Sequence, residues 1–109
     1  MRLLGYLVLL MNKLEYFGKV IKVVTELIDV EDKDIVGGAR FVDAVDARWL
    51  VIQLMHEKGY KTRQIAPLVG SSIRSVNHAL AFFEDRSLFS ENDLLSHYKA
   101  AQKELAKAR

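Results

Sequence analysis

Apolar residues recur along this chain at intervals of three and four, and strand-like alternation is sustained nowhere. Leu14, Phe17, Val20, Ile21, Val24, Leu27 and Ile28 share one helical side, which predicts a first helix over about 12–28. Asp29–Arg40 is polar and contains Gly37-Gly38, so it reads as a loop, with room for a short turn at Asp34–Val36. A long helix fits 41–58, with Val42, Val45, Trp49, Ile52 and Met55 inward and Gly59 ending it. Thr62 caps a short third helix through Val69. Ser72 starts a fourth that reaches about Glu84, with Val76, Ala79, Leu80 and Phe83 as its core face. Asp85–Phe89 reads as a loop. Ser90 followed by Asp93 resembles a capping box for a last helix over 91–107, carrying Leu94, Leu95, Tyr98, Ala101, Gln102 and Leu105 on one side. The pattern predicts an all-α, compact domain of five helices.

Within that pattern, Thr62 to His78 has the grammar of a helix-turn-helix. Ala66 is small enough to let two helices cross closely. Gly70 supplies a turn conformation with positive φ, which other residues adopt at a cost. Ser72 sits where a side chain caps the next helix, and Val76 points back into the angle between the two. Such a unit presents the start of its second helix outward, where it fits a DNA major groove.

Composition narrows the class. A chain of 109 residues is one domain with enough length to bury a core. Half of it is hydrophobic and only one residue is proline, which favours helices over disorder. With no cysteine there is no disulfide frame and no thiolate zinc site, and His56, His78 and His97 are too scattered to suggest a metal. The net charge of +2 is small, but its distribution is uneven. Residues 56–78 hold Lys58, Lys61, Arg63 and Arg74 against Glu57 alone. Residues 26–46 hold seven carboxylates against Lys33 and Arg40. The basic segment coincides with the helix-turn-helix.

Residues 1–11 form an apolar extension distinct from the helical domain of 12–109. Leu3–Leu10 follows Arg2 in the manner of a signal peptide, but it is too short to span a bilayer. No small-residue cleavage site follows. Two readings stand: the run extends the first helix, or it precedes a translation start at Met11. A membrane role is not expected, and the expected location is the cytoplasm.

Several of these residues, taken in order, resemble a known family. Val23-Val24 lies in the first helix, and Arg40 ends the following loop. Ala47-Arg48 opens a long helix as an Ala-Arg dipeptide does in that family, Ile65-Ala66 stands for its Ile-Gly or Ile-Ala, and Ser75-Val76-Asn77-His78-Ala79 matches the end of its signature, Thr-Val-x-His-Ala. Val20 through Leu105 resembles the C-terminal DNA-binding domain of the bacterial chromosomal replication initiator DnaA. That resemblance implies a Trp-repressor-like all-α fold. It also implies double-stranded DNA as partner, with the helix of about 72–84 in the major groove.

The departures bear on specificity. The family carries Arg-Asp-His before its two threonines, and those residues read bases. Here Ser71, Ser72 and Ile73 stand in their place, followed by Arg74 and Ser75. The donors and acceptors that read the initiator's box are therefore replaced. The family's ATPase part is not present either, since no G-x-x-x-x-G-K-[ST] occurs.

Each candidate contact has a plain alternative. Arg74 and Asn77 lie off the core face, where they meet bases or simply solvent. Ile73 touches a thymine methyl or packs on the third helix. His78 donates to a phosphate or makes a structural hydrogen bond. Arg40 matches the family position that enters the adjacent minor groove; the alternative is an ordinary loop arginine. Lys61, Thr62 and Arg63 surround a helix N-terminus that favours phosphate, with His56 nearby in sequence. Arg48 contacts the DNA backbone or pairs with Asp46 or Glu26. No catalytic motif, metal or cofactor is expected. The competing function is a protein-interaction module that uses the acidic 26–46 region and retains a relict helix-turn-helix.

Overall fold

The computed structural model describes the backbone of residues 2–107 and the side chains of residues 12–107. Six helices follow one another: α1 Arg2–Leu27, α2 Asp32–Val36, α3 Val42–Lys58, α4 Thr62–Leu68, α5 Ile73–Phe89 and α6 Leu94–Lys107. Among the described residues there is no strand.

The hub is α3, which touches all five other helices. Its sequence explains this. Leu50, Val51, Ile52, Leu54 and Met55 put apolar side chains on every side of the cylinder, and all are buried. A helix apolar all round belongs in the middle of a domain. By contrast α6 is amphipathic. It buries Leu94 and Ala101, lays Tyr98 and Leu105 partly against the core, and packs on α1. From α1, Val20, Ile21 and Val24 complete the core. Gly59 ends α3 at φ 111°, and its N–H reaches the His56 carbonyl.

The chain forms six helices, not the five expected from the sequence. Residues 32–36 are helical because Ile35 is drawn fully into the core. The Asp34 carboxylate also accepts from the Glu31 N–H (3.2 Å) and stabilises the first turn. The segment 85–89 is helical as well, so α5 runs to Phe89. It is held by a contact far away in sequence: Arg86 pairs with the buried carboxylate of Asp46. Ser90 does not cap the last helix. Its hydroxyl donates to Asp46 (2.6 Å) and accepts from the Asn92 N–H (3.1 Å), and α6 begins at Leu94.

Three smaller corrections follow. The N-cap of α4 is Lys61 rather than Thr62, with Gln64 Oε1 accepting from the Lys61 N–H (2.8 Å). Val42 is not on the inner face; it is 58 % exposed. Helix α1 starts at Arg2 rather than near 12, while the side chains of Leu3–Leu10 lie outside the described residues. Among the described residues no helix is long and apolar enough to cross a membrane.

Candidate nucleic-acid interface

The angle between α4 and α5 is closed by Ile65, Ala66, Val69, Val76 and Ala79, all buried. Burying these five fixes the crossing and leaves the outer side of α5 to solvent. The turn is tight. Gly70 has φ 63°, and the Ser71 N–H bonds the Ala66 carbonyl (3.0 Å). A β-carbon at Gly70 would overlap the Val36 carbonyl, so only glycine lets the turn sit against the end of α2. Ser72 then caps α5 as its sequence position suggests, its Oγ accepting from the Ser75 N–H (3.0 Å).

Beyond the cap, Ile73, Arg74, Ser75, Asn77 and His78 are all exposed. Ile73 is 48 % exposed, so it does not pack into α4. His78 has no hydrogen bond among the described residues. Its ring is braced by aromatic neighbours instead, edge-on to Trp49 and 4.7 Å from the Phe82 ring between centroids.

A cleft of about 530 Å³ opens beside this helix start. The loop after α2 lines it with Gly38 and Arg40, and α3 contributes Arg48, Trp49 and Ile52. The turn and α5 add Gly70, Ser71, Ser72, Arg74, Ser75 and His78. Three arginines, a histidine and three serines meet there, and no carboxylate does. Arg40 and Arg74 are exposed and form no ion pair among the described residues. The N-terminal end of α5 adds unpaired N–H groups and the positive end of its dipole. The cleft thus favours an anion.

The structure gathers Arg40, Arg48, Ser71, Ser72, Arg74, Ser75 and His78 around this cleft. It leaves His56, Lys61, Thr62, Arg63, Ile73 and Asn77 outside the lining. Lys61 and Arg63 are exposed at the start of α4, and His56 is exposed on the last turn of α3.

Arg48 is a correction. It is only 7 % exposed and pairs with neither Asp46 nor Glu26. Its Nε donates to the Ile35 carbonyl (2.7 Å). Its Nη2 donates to the carbonyls of Asp34 (2.7 Å) and Ala39 (2.9 Å). Burial holds its guanidinium below the usual arginine range. The side chain ties the Arg40 loop to α3 from beneath and is committed to that task.

Two residues of this region escaped sequence reading. Trp49 lies on an apolar stripe and reads as core, yet it is only half-buried and walls the cleft. Arg86 carried no signal at all. It lies over the Trp49 ring, 5.0 Å from its centre, while its Nε holds Asp46. Together they fix the spacing of α3 and α5 behind the site.

Elsewhere, Glu57 accepts hydrogen bonds from the Tyr98 hydroxyl and from Gln102. Burial and that carboxylate push the Tyr98 phenol up to about 12. Among the described residues no group of histidine and carboxylate side chains is arranged to hold a metal ion.

Comparison with protein-family models, with curated proteins and with solved structures finds no match to this chain.

Proposed function

We propose that this protein binds double-stranded DNA, with the first two turns of α5 in the major groove, in replication initiation or its control. The observation that carries this reading is the cleft beside Ser72. It joins Arg40, Arg74, two more cap-region serines and the N-terminal end of α5, without a carboxylate. A backbone phosphate fits that chemistry. The exposed row Ile73, Arg74, Asn77 and His78 offers an apolar contact, a guanidinium fork, an amide and an imidazole to base edges. The sequence resemblance to the initiator's DNA-binding domain supports the same partner. Because Ser71, Ser72 and Ile73 replace that family's base readers, the preferred sequence differs from the initiator's box.

Titration of a fluorescent duplex at two salt concentrations tests this. Affinity falls steeply with salt as Arg40, Lys58, Lys61, Arg63 and Arg74 displace counterions. Failure to bind any duplex at low ionic strength overturns the reading. A large preference for the initiator's own box overturns the assignment of the turn residues.

A further inference from the structure

The far half of α5 has a different character from its start. Leu88 is 73 % exposed and Phe89 is 85 % exposed, consecutive on the last turn. Val42 at the start of α3 is 58 % exposed and lines a groove of about 320 Å³ together with Phe89 and Glu91. Val42 and Phe89 therefore share one groove in solvent, and Leu88 adds apolar surface beside Phe89 on the same last turn.

The rim is acidic. Asp85 stands three and four residues before Leu88 and Phe89, on the same helical face. Glu91 lines the groove itself. Asp43 is tied to its end through Asn92, whose amide bonds both Asp43 (2.8 Å) and Asp46 (2.7 Å). The one cation in the groove, Arg86, is already neutralised by Asp46 and lies over Trp49. Glu91 in the lining, Asp43 next to Val42 in sequence and Asp85 one turn before Phe89 thus put three carboxylates near the apolar residues, and the lining holds no free positive charge.

These signs select the occupant. A second copy meeting this face by a two-fold axis would set like charges against like, which is unfavourable. DNA is excluded from it for the same reason. We infer that Val42, Leu88 and Phe89, rimmed by Asp43, Asp85 and Glu91, dock a basic amphipathic helix of a partner protein. Its leucine-type side chains would cover the apolar centre and its lysines or arginines the rim.

The test uses two helical peptides with leucines at three- and four-residue spacing, one filled with lysine and one with glutamate. Fluorescence anisotropy with the whole protein is expected to show binding of the lysine peptide, weakening with salt, and none of the glutamate peptide. The double variant Leu88→Ser, Phe89→Ser should weaken binding by about tenfold or more. Asp85→Lys with Glu91→Lys should transfer the preference to the glutamate peptide. Circular dichroism melting checks that each variant remains folded. Duplex binding by the serine variant should be unchanged, which separates this surface from the DNA reading. Equal binding of both peptides, binding of neither, or binding that survives the serine variant overturns the inference. So does a dimer in sedimentation velocity that the serine variant dissolves, since the occupant would then be a second copy.

Discussion

The His78 ring stands edge-on to Trp49, with centroids 5.7 Å apart and planes at 84°. His78 is exposed on the outer side of α5, whereas Trp49 belongs to the central helix. The pair therefore carries contact from the outer surface to the core in one step. Trp49 is the single tryptophan, so emission reports on its surroundings, of which the His78 edge is the part on the outer side of α5. Adding duplex is expected to change Trp49 emission, with a midpoint that follows the binding curve. In His78→Ala the edge contact is gone, and most of that change should vanish even where some affinity remains. An emission change of the same size in His78→Ala would show that DNA acts on Trp49 by another route.

The three arginine and lysine positions around α4 and α5 should separate by role. Arg74 is the second residue past the Ser72 cap and is exposed, so its fork can meet guanine O6 and N7. Arg74→Ala should cost about 1–3 kcal/mol on the preferred site and flatten one base position. Lys61 lies outside the cleft; Lys61→Ala should weaken all duplexes alike and lower the salt slope by about one. Arg40→Ala should matter most where the neighbouring minor groove is narrow and A·T-rich. Uniform loss on every sequence for Arg74→Ala would make that residue a phosphate clamp and shift base reading to Ile73 and Asn77.

Arg48 should behave as a stability residue. Its loss removes the side-chain donor from the carbonyls of Asp34, Ile35 and Ala39, of which Asp34 keeps the Ala39 N–H (3.3 Å). Leaving a buried acceptor unpaired costs about 1–3 kcal/mol, and the Ile35 carbonyl is the buried one of the three, so Arg48→Met should lower unfolding free energy by about 1–3 kcal/mol. Arg48→Lys should recover less than half, since an ammonium lacks the planar fork. Urea unfolding followed by circular dichroism measures both. A variant as stable as the parent would mean that the loop holds itself.

Tyr98 makes stability depend on alkaline pH. Its phenol is raised in the folded state from 10.0 to about 12, first by burial and then by the bond to Glu57. The unfolded chain therefore releases this proton earlier. The contribution is complete below pH 10.0 and is lost as pH rises to about 12. Comparing urea midpoints across that range, Tyr98→Phe should show a shallower decline than the parent. Identical slopes would mean that Tyr98 ionises as freely in the fold as out of it.

The local parts of this architecture were legible in the sequence. Gly70, the Ser72 cap and the buried Val76, Ala79 and Phe83 all follow from rules that reach a few residues along the chain. The pieces that escaped depend on distant partners. Helix α5 continues past Glu84 because Arg86 finds Asp46, forty residues earlier. Arg48 looks like a surface cation until the carbonyls of residues 34, 35 and 39 close over it. Ile35 lies in a charged, glycine-flanked stretch, and its burial, which no local pattern announces, helps make residues 32–36 helical. For the site, residue types together with the family resemblance singled out Arg40, Arg74 and His78. The cleft that unites them needed the loop after α2 to fold back on α3.

Under the proposed DNA reading, the acidic pair Glu84 and Asp85 would limit how much of α5 a duplex can reach. Both are exposed and would repel phosphates, so a duplex seated on α5 stops short of them. Of the turns short of that pair, residues 72–78 carry the proposed base contacts, a length of about 10 Å, or roughly three base pairs at ~3.4 Å each. A word of that size recurs every few dozen base pairs by chance. Under that reading, one protein molecule alone would carry too little information to mark a unique address. Selectivity in a chromosome would arise from counting: several such words close together, each occupied weakly, and read as a group.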